Sequence, residues 1–318
     1  MFKQYEYDKY EKVEFDLNTI DSAFMSSKVF KGMEFVFKQI DTSSISGKTY
    51  LPIFINESVY NSYGKNKDGH KLREDLIANK NSGFNSNQNV IAFIKDLYVD
   101  YNIYDSYIKI FDKSFVSPIS KAAGISTYNY VLTDSAFVDN KWCFNILYYP
   151  RRKSELTFKG DFWVNDSTFA IKEINMQANR SANINWVKDI YIEQEFDVLN
   201  DSVFLLKRDY MLSDFSLNKK DKSKGVYGRR TTMYKDYKFN EQKDAGFYNE
   251  EINVYDEKIY NKADTYWTES RQETLNENEL GIYKMLDTLT TVPKFKQIYN
   301  AISILGSGYI EFNKFDFG

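Results

Sequence analysis

KWCFNILYYPRRKSELTFKGDFWVNDSTFAIKEINMQ, residues 141–177, decides the fold. It reads as three consecutive antiparallel strands. In Lys141 to Tyr149, Trp142, Phe144, Ile146 and Tyr148 share one face. Pro150 to Glu155 turns the chain. In Leu156 to Val164, Leu156, Phe158, Phe162 and Val164 alternate against Thr157, Lys159 and Asp161. A period of two over this length marks a half-buried strand. Asn165-Asp166-Ser167 is a tight turn, since short polar side chains bond their own backbone there. Thr168 to Met176 returns, and its apolar phase slips between Ile171 and Ile174, as a bulge would make it do.

The same grammar extends outward. Tyr128 to Leu132 and Ala136 to Val138 lead into the three strands. Trp186 to Val198, Val203 to Phe215 and Tyr227 to Phe239 follow, with Leu199 to Ser202 as a hairpin signal. Roughly seven strands joined by short polar turns argue an antiparallel meander and not a parallel βαβ sheet. Towards the N-terminus, residues 1–16 are charged and aromatic with no clean period. Asn18 to Ile40 reads as helical, broken near Gly32. Tyr50 to Ile55 is a short extended run, Tyr60 to Asn81 a loop-rich stretch, and Tyr104 to Phe111 a turn or two of helix. Ser86 caps an expected helix with Val90, Phe93, Ile94 and Leu97 on one face. At the other end, Asn276 and Glu279 fit a capping box before the apolar stripe Ile282, Met285, Leu286 and Leu289. Pro293 suits the first turn of a further helix, with Phe295, Ile298, Ile302 and Leu305.

The expected fold is therefore α+β: a curved antiparallel sheet, a half-barrel-like meander, with helices from both termini packed against it. Residues 1–119 form an N-terminal helical and loop region, 120–245 the sheet core, and 246–318 a C-terminal helical segment.

Composition narrows the function. The chain has 318 residues and a formal net charge of -3, so no bulk argument for nucleic acid follows. One cysteine, Cys143, excludes an internal disulfide or a cysteine-cluster metal site. One histidine, His70, removes the usual partner of a hydrolase nucleophile, and zinc needs three or four convergent ligands. The carboxylates Asp161, Asp166 and Glu173 do not match calcium-loop spacing. Asp161 and Glu173 lie on adjacent strands, where a pair could do acid–base work. Cross-strand pairing with Lys159 and Lys172 is the plainer arrangement. No catalytic residue, metal or cofactor is assigned.

Three stretches resemble one family: DTSSISGKTYLPIF (Asp41 to Phe54), NIYDSYIKIFDKSFVSPIS (Asn102 to Ser120), and YVLTDSAFVDNKWC through ELTFKGDFWVNDSTFAIKEI (Tyr130 to Ile174). It is an outer-membrane family of Bacteroidota, of unknown function. Its members carry a carboxypeptidase-regulatory-like β-sandwich before this region and an outer-membrane β-barrel after it. ESRQETLNENELGIYKMLDTLTTVPKF resembles the helical segment that precedes the barrel. This sequence contains neither the sandwich, a signal peptide, nor the barrel strands, and so reads as a fragment. The resemblance implies a module on the periplasmic face of the outer membrane, with its own barrel as partner. More weakly, FKGDFWVNDSTFAIKEI is similar to the half-barrels of periplasmic lipoprotein carriers, which implies a lipid or lipoprotein acyl chain as ligand.

Two residue sets follow. Phe144, Phe158, Phe162 and Trp186 would line the concave side of the sheet. They are core if helices 86–98 and 277–305 fill that side, and an apolar cleft for acyl chains if those helices leave a gap. Arg151, Arg152, Arg229 and Arg230 sit in basic clusters at expected loop ends. There they would either contact anionic headgroups or be solvated.

Overall fold

The computed structural model describes residues 2–66, 70–82, 98, 100–111, 113–152, 155–178, 187–216, 225–244, 246–249, 256–273, 275, 277–290 and 292. In chain order the elements are β1 (Gln4–Asn18), α1 (Ser22–Met25), β2 (Asp41–Thr42), β3 (Thr49–Lys65), β4 (Lys71–Asn81), β5 (Tyr107–Ile110) and β6 (Lys113–Val116). Then come α2 (Gly124–Thr127), β7 (Tyr128–Val138), β8 (Lys141–Pro150), β9 (Phe158–Asn165), β10 (Ile171–Ala178), β11 (Val187–Leu199), β12 (Val203–Ser216) and β13 (Gly225–Phe239). Three helices follow: α3 (Glu257–Tyr260), α4 (Asp264–Ser270) and α5 (Glu277–Thr290). Short 3₁₀ turns lie at Lys28–Phe30, Glu34–Gln39 and Phe247–Asn249.

Eleven strands make one open, curved antiparallel sheet, ordered β2-β3-β1-β13-β12-β11-β10-β9-β8-β7, with β4 beside β2 on the outer edge of β3. From β7 to β13 the sheet is a meander of neighbours, and β1 then closes against both β13 and β3. The turns have the chemistry hairpins need. Asp139-Asn140 carries two positive φ values (43° and 61°), as a two-residue loop matching the strand twist requires, and the three-residue β11–β12 loop also starts with two, at Asn200 (50°) and Asp201 (61°). Asn165 accepts from the Thr168 backbone at 3.0 Å and holds the β9–β10 turn. The phase slip expected between Ile171 and Ile174 is a real irregularity, with the register shifting between Ile171 and Glu173.

Three expectations are corrected. Residues 4–18 are a central strand, 49–65 and 71–81 are long strands, and 107–110 is a strand of the β5–β6 hairpin. The N-terminal part is thus largely sheet and not helix and loop. Of the helix expected over 18–40 only α1 and two 3₁₀ turns form. The physical reason lies in β1. Glu11, Lys12, Glu14 and Asp16 are all buried, and charges buried on both faces erase the apolar alternation that marks a strand. Residues 86–97 of the helix expected over 86–98, the cap at Asn276 and the helix after Pro293 lie outside the described residues.

Two large hydrophobic clusters hold the molecule, beside a small one of Tyr60, Leu76 and Ile259. On the face here called inner, residues 100–111 and 113–116 cross the sheet. Ile103, Ile108, Ile110 and Phe115 pack with Phe158, Phe162, Ile174, Met176, Ile192 and Met211. On the other, outer face, Ile282, Met285, Leu286 and Leu289 of α5 pack against Ile55, Leu51, Met33 and Val36. One glycine sets the inner packing. Tyr148 lies opposite Gly160, and its hydroxyl donates to the Asn175 carbonyl at 2.7 Å. A Cβ at residue 160 would stand 2.0 Å from that same carbonyl oxygen. Gly160→Ala is therefore expected to force β9 and β10 apart and cost about 1–3 kcal/mol, read as a lower denaturation midpoint. A midpoint equal to wild type would show that the strands part freely there.

Candidate functional site

The inner face is filled in its middle and open at one end. Phe158 is fully buried and stacks on Phe115 with ring centroids 4.8 Å apart. Tyr128 bridges the covering segment to the sheet. Its hydroxyl donates to the Val116 carbonyl at 2.6 Å and accepts from the Phe158 backbone at 3.1 Å. Tyr130 donates to the Pro118 carbonyl at 2.6 Å. Phe162 is buried beside Tyr148, centroids 5.9 Å apart.

Beyond this lid the face continues uncovered. The β7–β8–β9 register pairs Leu132 with Ile146, Ser135 with Phe144, Phe137 with Trp142, and Phe144 with Val164. Paired residues share a face, so these side chains extend the row of Ile146, Tyr148 and Phe162. Leu132 is 63% exposed, Phe137 71%, Trp142 37% and Phe144 36%. Phe137 and Trp142 meet edge to face at 4.9 Å, next to the β7–β8 turn. Phe169, also exposed, stands at the β9–β10 turn on the same end of the sheet. This arrangement offers a contiguous apolar surface with aromatic walls and no charge of its own.

The four residues expected to line a cleft are thus separated. Phe158 and Phe162 are core, covered by the β5–β6 segment rather than by a helix. Phe144 belongs to the open end. Trp186 lies outside the described residues. Leu132, Phe137 and Trp142 were not singled out from sequence, although their alternation along β7 and β8 carried the signal.

The four arginines also come apart. Arg229 and Arg230 are inside β13, not at a loop end, and point to opposite faces. On the outer face, Arg229 donates to Asp16 at 2.7 and 3.0 Å and to Glu14 at 3.0 Å. On the inner face, Arg230 donates to Asp209 at 2.9 Å and Asp100 at 3.3 Å, and Asp209 also accepts from Tyr101 and Gln194 at 2.6 and 2.7 Å. Burial works against both guanidiniums, but the adjoining carboxylates hold them firmly charged. Both guanidiniums are buried against carboxylates of the fold, which corrects the headgroup expectation for Arg229 and Arg230. Arg151 donates to the Ile125 and Tyr128 carbonyls, and exposed Arg152 pairs with Glu155 at 3.0 Å.

The other titratable residues named from sequence are each held by contacts of the fold or exposed. Asp161 accepts from Asn145 at 2.9 Å and Asn175 at 3.3 Å. Glu173 pairs across the ladder with Glu195, and burial followed by that like charge raises its pKa. Cys143 is buried, and burial pushes its thiol up. His70 is exposed, 3.4 Å from the Tyr5 hydroxyl. Among the described residues no group of three His, Cys, Asp or Glu could hold a metal, and no helix is long and apolar enough to cross a membrane.

A family profile described as a family of unknown function (DUF5686) matches residues 1–237. No curated protein sequence matches the chain. Solved structures are similar only loosely. A domain described as that of an outer-membrane lipoprotein-sorting protein from Vibrio parahaemolyticus is 7% identical, with a TM-score of 0.26, covering 76% of this chain and 89% of that one. A DUF1329 family protein from Desulfovibrio piger is 9% identical, with a TM-score of 0.25 and the same coverage. A LolA superfamily protein from Nitrosomonas europaea is 10% identical, with a TM-score of 0.21 and again the same coverage. Superpositions this loose carry no argument.

Proposed function

The chain belongs to the DUF5686 family of unknown function, and from its geometry we propose a non-catalytic module that binds a hydrophobic moiety, a lipid or a lipoprotein acyl chain, on the open end of its inner face. The carrying observation is the uncovered surface of Leu132, Phe137, Trp142 and Phe144, which continues directly from a packed core. An acyl chain laid there removes apolar area from water on both partners. Catalysis has no named agent: the one histidine is at the surface and the one cysteine is buried. The sequence resemblance supplies the setting. The module would face the periplasm as part of a longer outer-membrane protein and pass its ligand to the barrel that follows.

Solvent extraction of the purified protein followed by mass spectrometry tests the proposal, together with titration of a fluorescent fatty acid. Saturable uptake is expected. Phe137→Asp with Phe144→Asp should weaken it at least about tenfold, since each buried phenyl ring is worth about 1.5–3 kcal/mol. No extracted lipid and no saturable uptake would end this reading. A scaffold without a small ligand would then stand ahead, favoured by the stacking of Phe115 on Phe158, which fills the middle of the same face.

A further inference from the structure

The two edges of the sheet are treated in opposite ways. On β4, the edge beside β3, five of the eleven residues are charged: Lys71, Arg73, Glu74, Asp75 and Lys80. That edge is also covered. Lys71 donates to Asn249 at 2.7 Å, Arg73 donates to the Phe247 carbonyl, Lys80 pairs with Asp264 at 2.9 Å, and Leu76 packs on Ile259. On β7, the other edge, the eleven residues hold a single charge, Asp134. Among the described residues no strand pairs with its outward side. Val131, Leu132 and Phe137 on β7 are exposed, and so are Leu147 and Tyr149 behind it on the outer face. A long apolar edge left bare in this way templates another strand, and chains that stay single guard such edges with charges, as β4 does.

We infer that β7 pairs antiparallel with β7 of a second copy of this chain. The near absence of charge on β7 leaves nothing to select a foreign strand and nothing to repel its own. A two-fold axis perpendicular to the sheet brings identical strands together antiparallel and uses both bare edges at once. Because the β4 edge is charged and covered, assembly stops at two. Two bare edges would instead give an open fibre. The inference does not depend on lipid binding: it uses the backbone edge of β7, and the acyl reading uses the inner face.

Light scattering or sedimentation of the whole chain across a concentration series tests it. The wild type is expected to shift from monomer to dimer and to stop there. Val131→Lys with Ser135→Lys, both at exposed positions, should hold the protein monomeric with its unfolding midpoint at low concentration unchanged. Leu72→Lys on the guarded edge should leave the dimer intact. A wild type that stays monomeric at every concentration overturns the inference, and so does a dimer that survives the two lysines.

Discussion

Glu57→Ala is expected to cost about 3–5 kcal/mol, the range for removing one partner of a buried ion pair. Glu57 is fully buried on the outer face of β3 and collects three donors. The Tyr10 hydroxyl reaches it at 2.6 Å, Arg271 at 2.6 and 2.8 Å, and Tyr283 of α5 donates to its other oxygen. One carboxylate thus ties β1, the α4 terminus and α5 to β3. Removing it strands a guanidinium and two hydroxyls without an acceptor. Burial pushes the Glu57 carboxyl up, but hydrogen bonds from Arg271, Tyr10 and Tyr283 outweigh it and hold it below the usual 4.5. A depressed carboxylate stabilises the fold above its unfolded value, and that contribution is lost as pH falls through the folded one. The wild type should therefore weaken in acid below about pH 4.5 more steeply than Glu57→Gln. Denaturant midpoints at neutral and acid pH check both points. A loss below about 1 kcal/mol would show that α4 and α5 simply swing out and rehydrate.

Phe158→Ala should cost about 3–5 kcal/mol, while Phe144→Ala, fourteen residues earlier in the same sheet, should cost about 0.5 kcal/mol. The two lie on one face, yet only Phe158 has a ring stacked on it and no exposed surface. Its removal leaves a hole that Phe115, Tyr128 and Tyr148 cannot collapse into, because two of them are fixed by hydroxyl bonds to backbone carbonyls. Thermal or denaturant unfolding of both variants measures the difference. Equal costs would mean that the open end of the face is packed in solution, and the apolar surface proposed for ligand binding would not exist.

Strands β9 to β11 were legible because each buries mainly one face, so Phe158, Phe162, Ile190 and Ile192 stand out at alternate positions. Even the irregularity at Lys172 left its mark as a slipped phase. Strand β1 was not legible. Its Lys9, Glu11, Lys12, Glu14 and Asp16 look solvated in sequence, and only the fold reveals Glu74, Arg229 and Glu279 beside them. Arg229 and Arg230 misled for the same reason: a basic pair reads as surface until its carboxylates, Glu14, Asp16 and Asp100 among them more than 100 residues away along the chain, are in place. The covering role of residues 100–111 and 113–116 was missed because a four-residue strand such as β5 is too short to show a period.

The seat of β1 governs the order in which the molecule can assemble. Its ladder to β13 joins Tyr5 to Phe239 and Asn18 to Gly225. During synthesis β1 emerges with only β3 to pair with, and its buried acids wait more than 200 residues for Arg229 and Arg230. Contacts of such sequence separation close last and slowly. Until they close, one side of the longest strand pair lies bare with uncompensated charge, so a chaperone that shields the early half of the chain would act there.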